Sequence, residues 1–574
     1  MKHRLFRLLP LLAITLAACG PAARDSSPDQ GQAGTAGEPR TLRLVARVEP
    51  DTMTGEGSIT KTITPLRMFT AGLTAMDSRE TPYPVLAERL PQLNTDTWKV
   101  FPDGRMETIY RIRSGLTWHD GRPLTVDDFI FALRVFNAET GWGRPPAGSG
   151  DARRSGQFMD EIVALDSQSL AIRWKRAYPG AGALPFPPLP QHLLETAIEQ
   201  STPDAYYNLD HWTSTYVGAG PFRMVRWEQG AFMEGTAFEG YALGRPKIDR
   251  IILTFSERPP VTVARLLSDD VDMALSDAIQ FEQLGVLKEQ WAPRTQGRFM
   301  LSPIQMRHVQ IQLRPAYSDP PALLDVRARR ALMHAIDRTA LAEAMVDDRG
   351  MAADTMVPRL VAYYPAVDAA IAKYPYDIRR TEQLMAEAGF TRGSDGFFVS
   401  PNAGRFSPEL WGVADGQDAQ ETTVVADFLK RAGIDARLWL YPVSNRVGDA
   451  SDEFKATFPA LNTNGDSLTS SALGIEKFTS PYVASQETRW RGTNKMGWST
   501  PEGDRLMDGF LGTLDSKEAD RLMVQMLTLL SNELPVVPLY ATFSVDAHVG
   551  SLHGPEAGSP TSTRYYNLHE WEFR

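Results

Sequence analysis

The side chains of this chain that could do chemistry are of types that hold a molecule rather than transform one. The tract FPALNTNGDSL at 458–468 sets two amides, Asn462 and Asn464, beside the carboxylate of Asp466. A carboxylate can neutralise an ammonium taken out of water, whereas an amide offers only a dipole. Glu56, in TGEGS at 54–58, is a second candidate anion. Trp411, Trp439 and Tyr441 offer apolar faces suited to sugar rings or side-chain pockets. There is no Gly-x-Ser-x-Gly elbow, no P-loop and no Gly-x-Gly-x-x-Gly opening a helix, so no catalytic residue and no enzyme activity is expected. The 9 histidines lack His-x-His or His-Glu-x-x-His spacing, and there is 1 cysteine, so neither a protein-built metal site nor a cofactor is expected. His548 and His553 read as surface histidines on a loop.

The elements that must position these groups are best marked at 108–137, TIYRIRSGLTWHDGRPLTVDDFIFALRVFN. Ile109, Arg111 and Arg113 alternate with Tyr110, Ile112 and Ser114, which predicts a strand. Ser114-Gly115 and Asp120-Gly121 are turn pairs. Thr125 then reads as a helix N-cap with Asp128 at N3, and Leu124 and Phe129 as a hydrophobic staple. Phe129, Leu133 and Phe136 form one apolar stripe. In the second half, Asp325 caps a helix with Ala328, Leu332, Ala335 and Ile336 inward. Asp377 caps IRRTEQLMAEA, closed by Gly389; a third helix, with Val425, Phe428, Leu429 and Ala432 inward, closes at Gly433 before the strand DARLWL. Ser516 starts a helix with Ala519, Leu522, Met526 and Leu529 inward, and TLRLVARV from Thr41 reads as a strand. Strands and helices mixed in this order imply α/β architecture.

The segment around WHDGRPLTVDDF resembles the signature of the bacterial extracellular solute-binding proteins of family 5, the oligopeptide-, dipeptide- and nickel-binding proteins of ABC importers. The likeness extends from Thr41 to Arg574. It includes MFTAGL at 68–73, YPVLAERLP at 83–91, YVGAGPFRMVRWEQG at 216–230, FEGYALGRPKIDRIIL at 238–253, DVRARRALMHAIDRTAL at 325–341, YPYDIRRTEQLMAEAGF and the terminal NLHEWEF. Ala242 stands where the family often has Trp. The resemblance implies a two-lobed periplasmic-binding-protein type II fold with an extra subdomain in lobe one. Lobe one would be 41–304 plus 543–574, its extra subdomain about 66–190, and lobe two 305–542. Two crossing segments would form the hinge, and ligand would sit between the lobes before delivery to a membrane permease. Peptide ligands of such proteins lie extended along main chain, and a lobe-two aspartate in a W-x-x-D-Y box holds their α-amino group. Here Leu461 stands at the Trp and Asn464 near the Asp. Either Asp466 substitutes, or the ligand lacks a free amine there. A peptide is the first expectation. An oligosaccharide, an opine, a metal chelate, or an envelope receptor role without transport are the alternatives.

Length and charge agree with this outline. The chain has 574 residues, beyond the roughly 250–300 at which one core stops growing. Its net charge of −10 disfavours nucleic acid as a partner. Lys2, Arg4 and Arg7 precede an apolar run from Leu8 to Ala18, too short to span a bilayer of roughly 30 Å. The run ends Leu16-Ala17-Ala18-Cys19, which resembles a bacterial lipobox, so residues 1–18 read as a signal peptide and Cys19 as the lipidated anchor to a membrane of the cell envelope. The stretch to Arg40 has no aromatic residue and no Leu, Ile, Val or Met, and reads as a flexible tether. A monomer is expected.

Overall fold

The computed structural model describes residues 39–54, 66–141, 155–199, 202–446, 451–468, 472, 474–560 and 562–574. Ten strands form one continuous sheet. In chain order they are β1 (Thr41–Ala46), β2 (Phe222–Glu228), β3 (Phe232–Ala237), β4 (Arg250–Phe255), β5 (Met273–Ile279), β6 (Arg298–Ile311), β7 (Glu409–Val413), β8 (Arg437–Tyr441), β9 (Leu461–Ser467) and β10 (Val536–His548). Across the sheet the order is β8-β7-β9-β6-β10-β5-β1-β4-β3-β2.

The two long central strands, β6 and β10, join the halves of the sheet. They pair antiparallel from Arg298 opposite His548 to Gln310 opposite Val536, with register breaks between Pro303 and Gln305 and between Arg307 and His308. Proline lacks the N–H that an unbroken ladder needs, which suits Pro303 to the first break. On one side of this pair β9 runs parallel to β7, and β7 parallel to β8. On the other, β5, β1 and β4 are parallel neighbours, closed by the antiparallel strands β3 and β2. His548 ends β10 at 2% exposure and His553 is half-buried, so neither is the surface loop residue its spacing suggests. His548 pairs within the large sheet and His553 opposite Glu572 in a separate two-stranded one, long-range pairings that local spacing cannot announce.

A four-stranded sheet, in the order Trp98–Val100, Met106–Arg111, Ser169–Trp174, Met159–Ala164, carries helix α1 (Val126–Gly141). Half of the capping box expected at Thr125 is present: its N–H donates to Asp128 Oδ2 at 2.9 Å. Phe129, Leu133 and Phe136 are buried, as is Leu124. Asp128 Oδ2 also accepts from Trp118 Nε1 at 3.2 Å. His119 reaches further along the chain. Its Nδ1 accepts from Gly218 N at 3.2 Å and its Nε2 donates to Gly220 O at 3.0 Å, while Gly220 N donates to Phe69 O at 3.0 Å. MFTAGL, WHDG and YVGAGPF therefore interlock as scaffold. A Cβ on Gly220 would lie 2.4 Å from the backbone of Phe69 and Thr70, so no side chain fits. Gly220→Ala is expected to lower the urea midpoint by an amount equivalent to about 2 kcal/mol or more.

Around β6–β10, helices α2 (Val326–Ala335), α3 (Arg338–Val346), α4 (Ile378–Glu387) and α5 (Gly416–Arg431) pack on one face with Val309, Ile311, Leu410 and Leu461. Helices α6 (Pro501–Gly512) and α7 (Ser516–Glu533) cover the other, with Met306, Val413 and Val536. Asp325 and Asp377 cap α2 and α4 as expected. Gly389 and Gly433 take φ of +87° and +90° at the predicted helix ends. Helix α7 begins at Ser516 as expected, capped by Asp515, whose carboxylate accepts from both Lys517 N and Glu518 N. The arginines of DVRARRALMHAIDR hold main chain: Arg329 donates to Leu323 O, Leu324 O and Glu533 O, and Arg338 to Ala353 O and Tyr374 O.

Candidate functional site at the strand ends

Ligands of α/β sheets collect at the carboxyl ends of parallel strands. Here β7, β8 and β9 end at Val413, Tyr441 and Ser467. Ser467 pairs with Gln305, beside the first register break of β6, so β9 ends where the central strands pass from one half of the sheet to the other.

One face of β9 is polar. Asn462, Asn464 and Asp466 stand opposite Gln310, His308 and Met306. Asn462 is buried, and its Nδ2 donates to Gln310 Oε1 at 3.2 Å. Asn464 is half-buried and its Oδ1 accepts from Gly465 N at 2.9 Å. Asp466 is held by Lys477, whose Nζ donates to Oδ2, and His308 Nε2 lies 3.6 Å from the same oxygen. The Lys477 side chain is 7% exposed and that of Asp466 17%. Burial works to raise the Asp466 carboxyl, but the Lys477 ammonium outweighs it, and the group sits below the ordinary carboxylate range. His308 Nδ1 donates to Met306 O at 3.1 Å, leaving Nε2 to accept from Lys477 Nζ at 3.5 Å. Burial pushes the His308 imidazole down to about 4, so it is neutral.

The opposite face carries a denser ion network. Arg307 donates twice to Glu421, at 2.9 and 2.7 Å, and to Asp418 at 2.5 Å. Tyr540 OH donates to Glu421 Oε2 at 2.5 Å. Arg307 is on β6, Tyr540 on β10 and both carboxylates on α5. One buried guanidinium thus fastens α5 to both central strands beside the second register break. Burial opposes the Arg307 charge, but Glu421 and Asp418 more than offset it and hold it protonated.

Trp411, Trp439 and Tyr441 come together as one cluster at the edge of the sheet. Trp411 and Trp439 are in register on β7 and β8, with ring centroids 4.3 Å apart. Phe454, from the helix Ser451–Ala456, stacks on Trp411 at 4.8 Å and lies 5.1 Å from Tyr441. Trp411 and Tyr441 are buried, and Trp439 is 37% exposed. Glu56 and Cys19 lie outside the described residues. Lys477, His308, Phe454 and the Arg307 network escape the sequence reading. The only local signal for Lys477 is a lysine set between Ile475 and Phe478. Among the described residues no group of three or more His, Cys, Asp or Glu side chains is placed to hold a metal ion, and no helix is long and apolar enough to cross a membrane.

The two halves of this one sheet, joined by a pair of long strands, carry polar side chains at their junction. The model of the bacterial extracellular solute-binding proteins, family 5 Middle, matches residues 84–475, and the chain belongs to that family. It is 22% identical over 601 residues to the oligopeptide-binding protein AppA of Bacillus subtilis, covering 100% of this chain and 99% of that protein. It superposes with a TM-score of 0.72 and 20% identity on the oligopeptide binding protein from Thermus thermophilus complexed with pentapeptide, over 93% of this chain and 96% of that one. NikZ from Campylobacter jejuni, in complex with Ni(L-His), gives the same TM-score at 19% identity, over 93% and 99%. The fold is the two-lobed type II periplasmic-binding-protein fold with an extra subdomain in lobe one. Proteins of this family are extracellular or periplasmic solute carriers rather than enzymes.

Proposed function

We propose that this chain is the substrate-binding lipoprotein of an ABC importer, capturing a peptide between its lobes and delivering it to a membrane permease. The observation that carries this reading is the likeness to an oligopeptide-binding protein over 100% of this chain and 99% of the relative. Lobe one is 41–304 plus 543–574, with its extra subdomain at about 66–190, and lobe two is 305–542. Residues 1–18 are a signal peptide, Cys19 carries the lipid, and the tether to Arg40 holds the monomeric body at a membrane of the cell envelope. Asn462, Asn464 and Asp466 form the polar wall of the ligand groove, the cluster of Trp411, Trp439 and Tyr441 its apolar wall, and Glu56 a further contact from lobe one.

A second reading has one observation in its favour. Asp466 is already bound to Lys477, which suits a solute without a free amine, such as an oligosaccharide, an opine or a metal chelate. The test is mass spectrometry of what is released when the protein, made from Gly20 onward and gently purified, is denatured. A ladder of short peptides is expected. A single non-peptide solute would overturn the peptide reading.

A further inference from the structure

We infer that the ligand presents an uncharged group, not a free ammonium, to the carboxyl end of β9, because Lys477 already occupies Asp466. This rests on the peptide-carrier reading and narrows it to peptides whose amino end is blocked, or held elsewhere.

The carboxyl end of β9 lies at the junction of the two half-sheets, and the Asp466 side chain keeps 17% of its surface exposed there. It is the only carboxylate on the polar face of that strand. Lys477 Nζ sits on Oδ2, so an ammonium that takes that oxygen must displace it, and one that approaches Oδ1 meets a carboxylate already neutralised. Lys477 has no good alternative place. Its side chain is 7% exposed, with the His308 ring at 3.5 Å and the Phe478 ring centre at 4.9 Å as its other near neighbours. Exchange would trade one buried ammonium for another and leave a buried cation without its counter-ion, which is strongly unfavourable. Asn464 cannot take over as counter-ion, since its amide carries no charge. Asp418 and Glu421 lie beyond the opposite face, bound to Arg307. At the amino end of the same face, among the described residues, Asn462 Oδ1 is buried and without a hydrogen-bond partner. A neutral N–H or O–H donor matches that acceptor.

The test uses a mixed-sequence pentapeptide library, half of it N-acetylated. It is offered to the protein near pH 7, where peptide α-amines of pKa about 7.7–8.0 are mostly charged. Captured peptides are counted by mass spectrometry. The acetylated half is expected to be captured at least as well as the free half. Enrichment of the free half by about tenfold or more, the size of a good hydrogen bond to a charged group, would overturn the inference while leaving the peptide reading intact. It would point to a carboxylate outside the described residues, such as Glu56. Capture of neither half would overturn both. Lys477→Met releases Asp466 and is expected to shift capture towards the free half by about tenfold; an unchanged ratio in a folded variant would overturn the assignment of Lys477. Should that variant not fold, Lys477→Met combined with Asp466→Asn removes both charges together. It is expected to keep the wild-type ratio, and a fall in capture of free-amine peptides would overturn the inference.

Discussion

Arg307→Ala is expected to destabilise the protein by about 3–5 kcal/mol, the largest single-site effect outside the hydrophobic cores. The guanidinium is nearly inaccessible and satisfies Glu421, which is 0% exposed, and Asp418. Removing it leaves the buried Glu421 carboxylate without its counter-ion, beside a partly exposed Asp418 and with only Tyr540 donating to it. The effect should exceed that of breaking any exposed pair, such as Arg226 with Glu228, for which about 0–1 kcal/mol is the norm. Arg307→Lys should recover little, because an ammonium cannot reproduce the two-point contact with Glu421. Urea unfolding of the two variants checks both statements. A loss below about 1 kcal/mol for Arg307→Ala would show that the network is not carrying the junction.

The second large effect is acid sensitivity. His119, His211 and His308 are each pushed by burial down to about 4, against about 6.5 for an exposed imidazole. Between those pH values the unfolded chain binds protons that the folded chain refuses. The stability each group contributes is therefore complete above about pH 6.5 and drains as pH falls towards 4. The loss is of order 3 kcal/mol per histidine, and three together are comparable with the whole stability of a typical domain. Thermal unfolding followed from pH 7 to pH 4 should show a steep fall beginning near pH 6.5. His211 is the best probe. Both of its ring nitrogens are buried without partners among the described residues, and it packs on Trp212 and Tyr216. His211→Phe should flatten the pH dependence while leaving stability at pH 7 close to the parent. An unchanged slope would remove His211 from the account.

What is legible in the sequence is whatever closes within a few residues. Thr125 meets Asp128 three positions on, Asp325 and Asp377 sit beside the amides they cap, and Gly389 and Gly433 take the left-handed conformation that ends a helix. The start of α7 at Ser516 has the same local physics, the preceding Asp515 carboxylate accepting from two N–H groups of the first turn. The aromatic trio is legible in part. Alternate residues of a strand share a face, so Trp439 and Tyr441 belong together, but the parallel register that brings Trp411 to Trp439 and the helix that adds Phe454 are tertiary facts. The charge balance of the site is not legible at all. Lys477 meets Asp466 across 11 positions, and Arg307 meets Glu421 across 114. Nothing in either residue's neighbourhood in the chain marks it as paired. Asp466 reads as available from its sequence and is spoken for in the fold. The family signature shows the converse: WHDG, which identifies the chain most readily, serves to bind Gly218 and Gly220.

The position of β10 in the sheet also governs how this chain can be made. It lies between β6 and β5, pairing with both, yet it is Val536–His548, close to the end of a 574-residue polypeptide. Until that segment is in place, β5 and β6 each lack a neighbour and the sheet exists as two pieces with bare edges where a continuous surface should be. Contacts between such distant parts of a chain also form slowly. A product that stops short of Val536 is therefore not a slightly shorter carrier but one chain whose sheet stays in two unjoined pieces, each offering a bare edge to other chains.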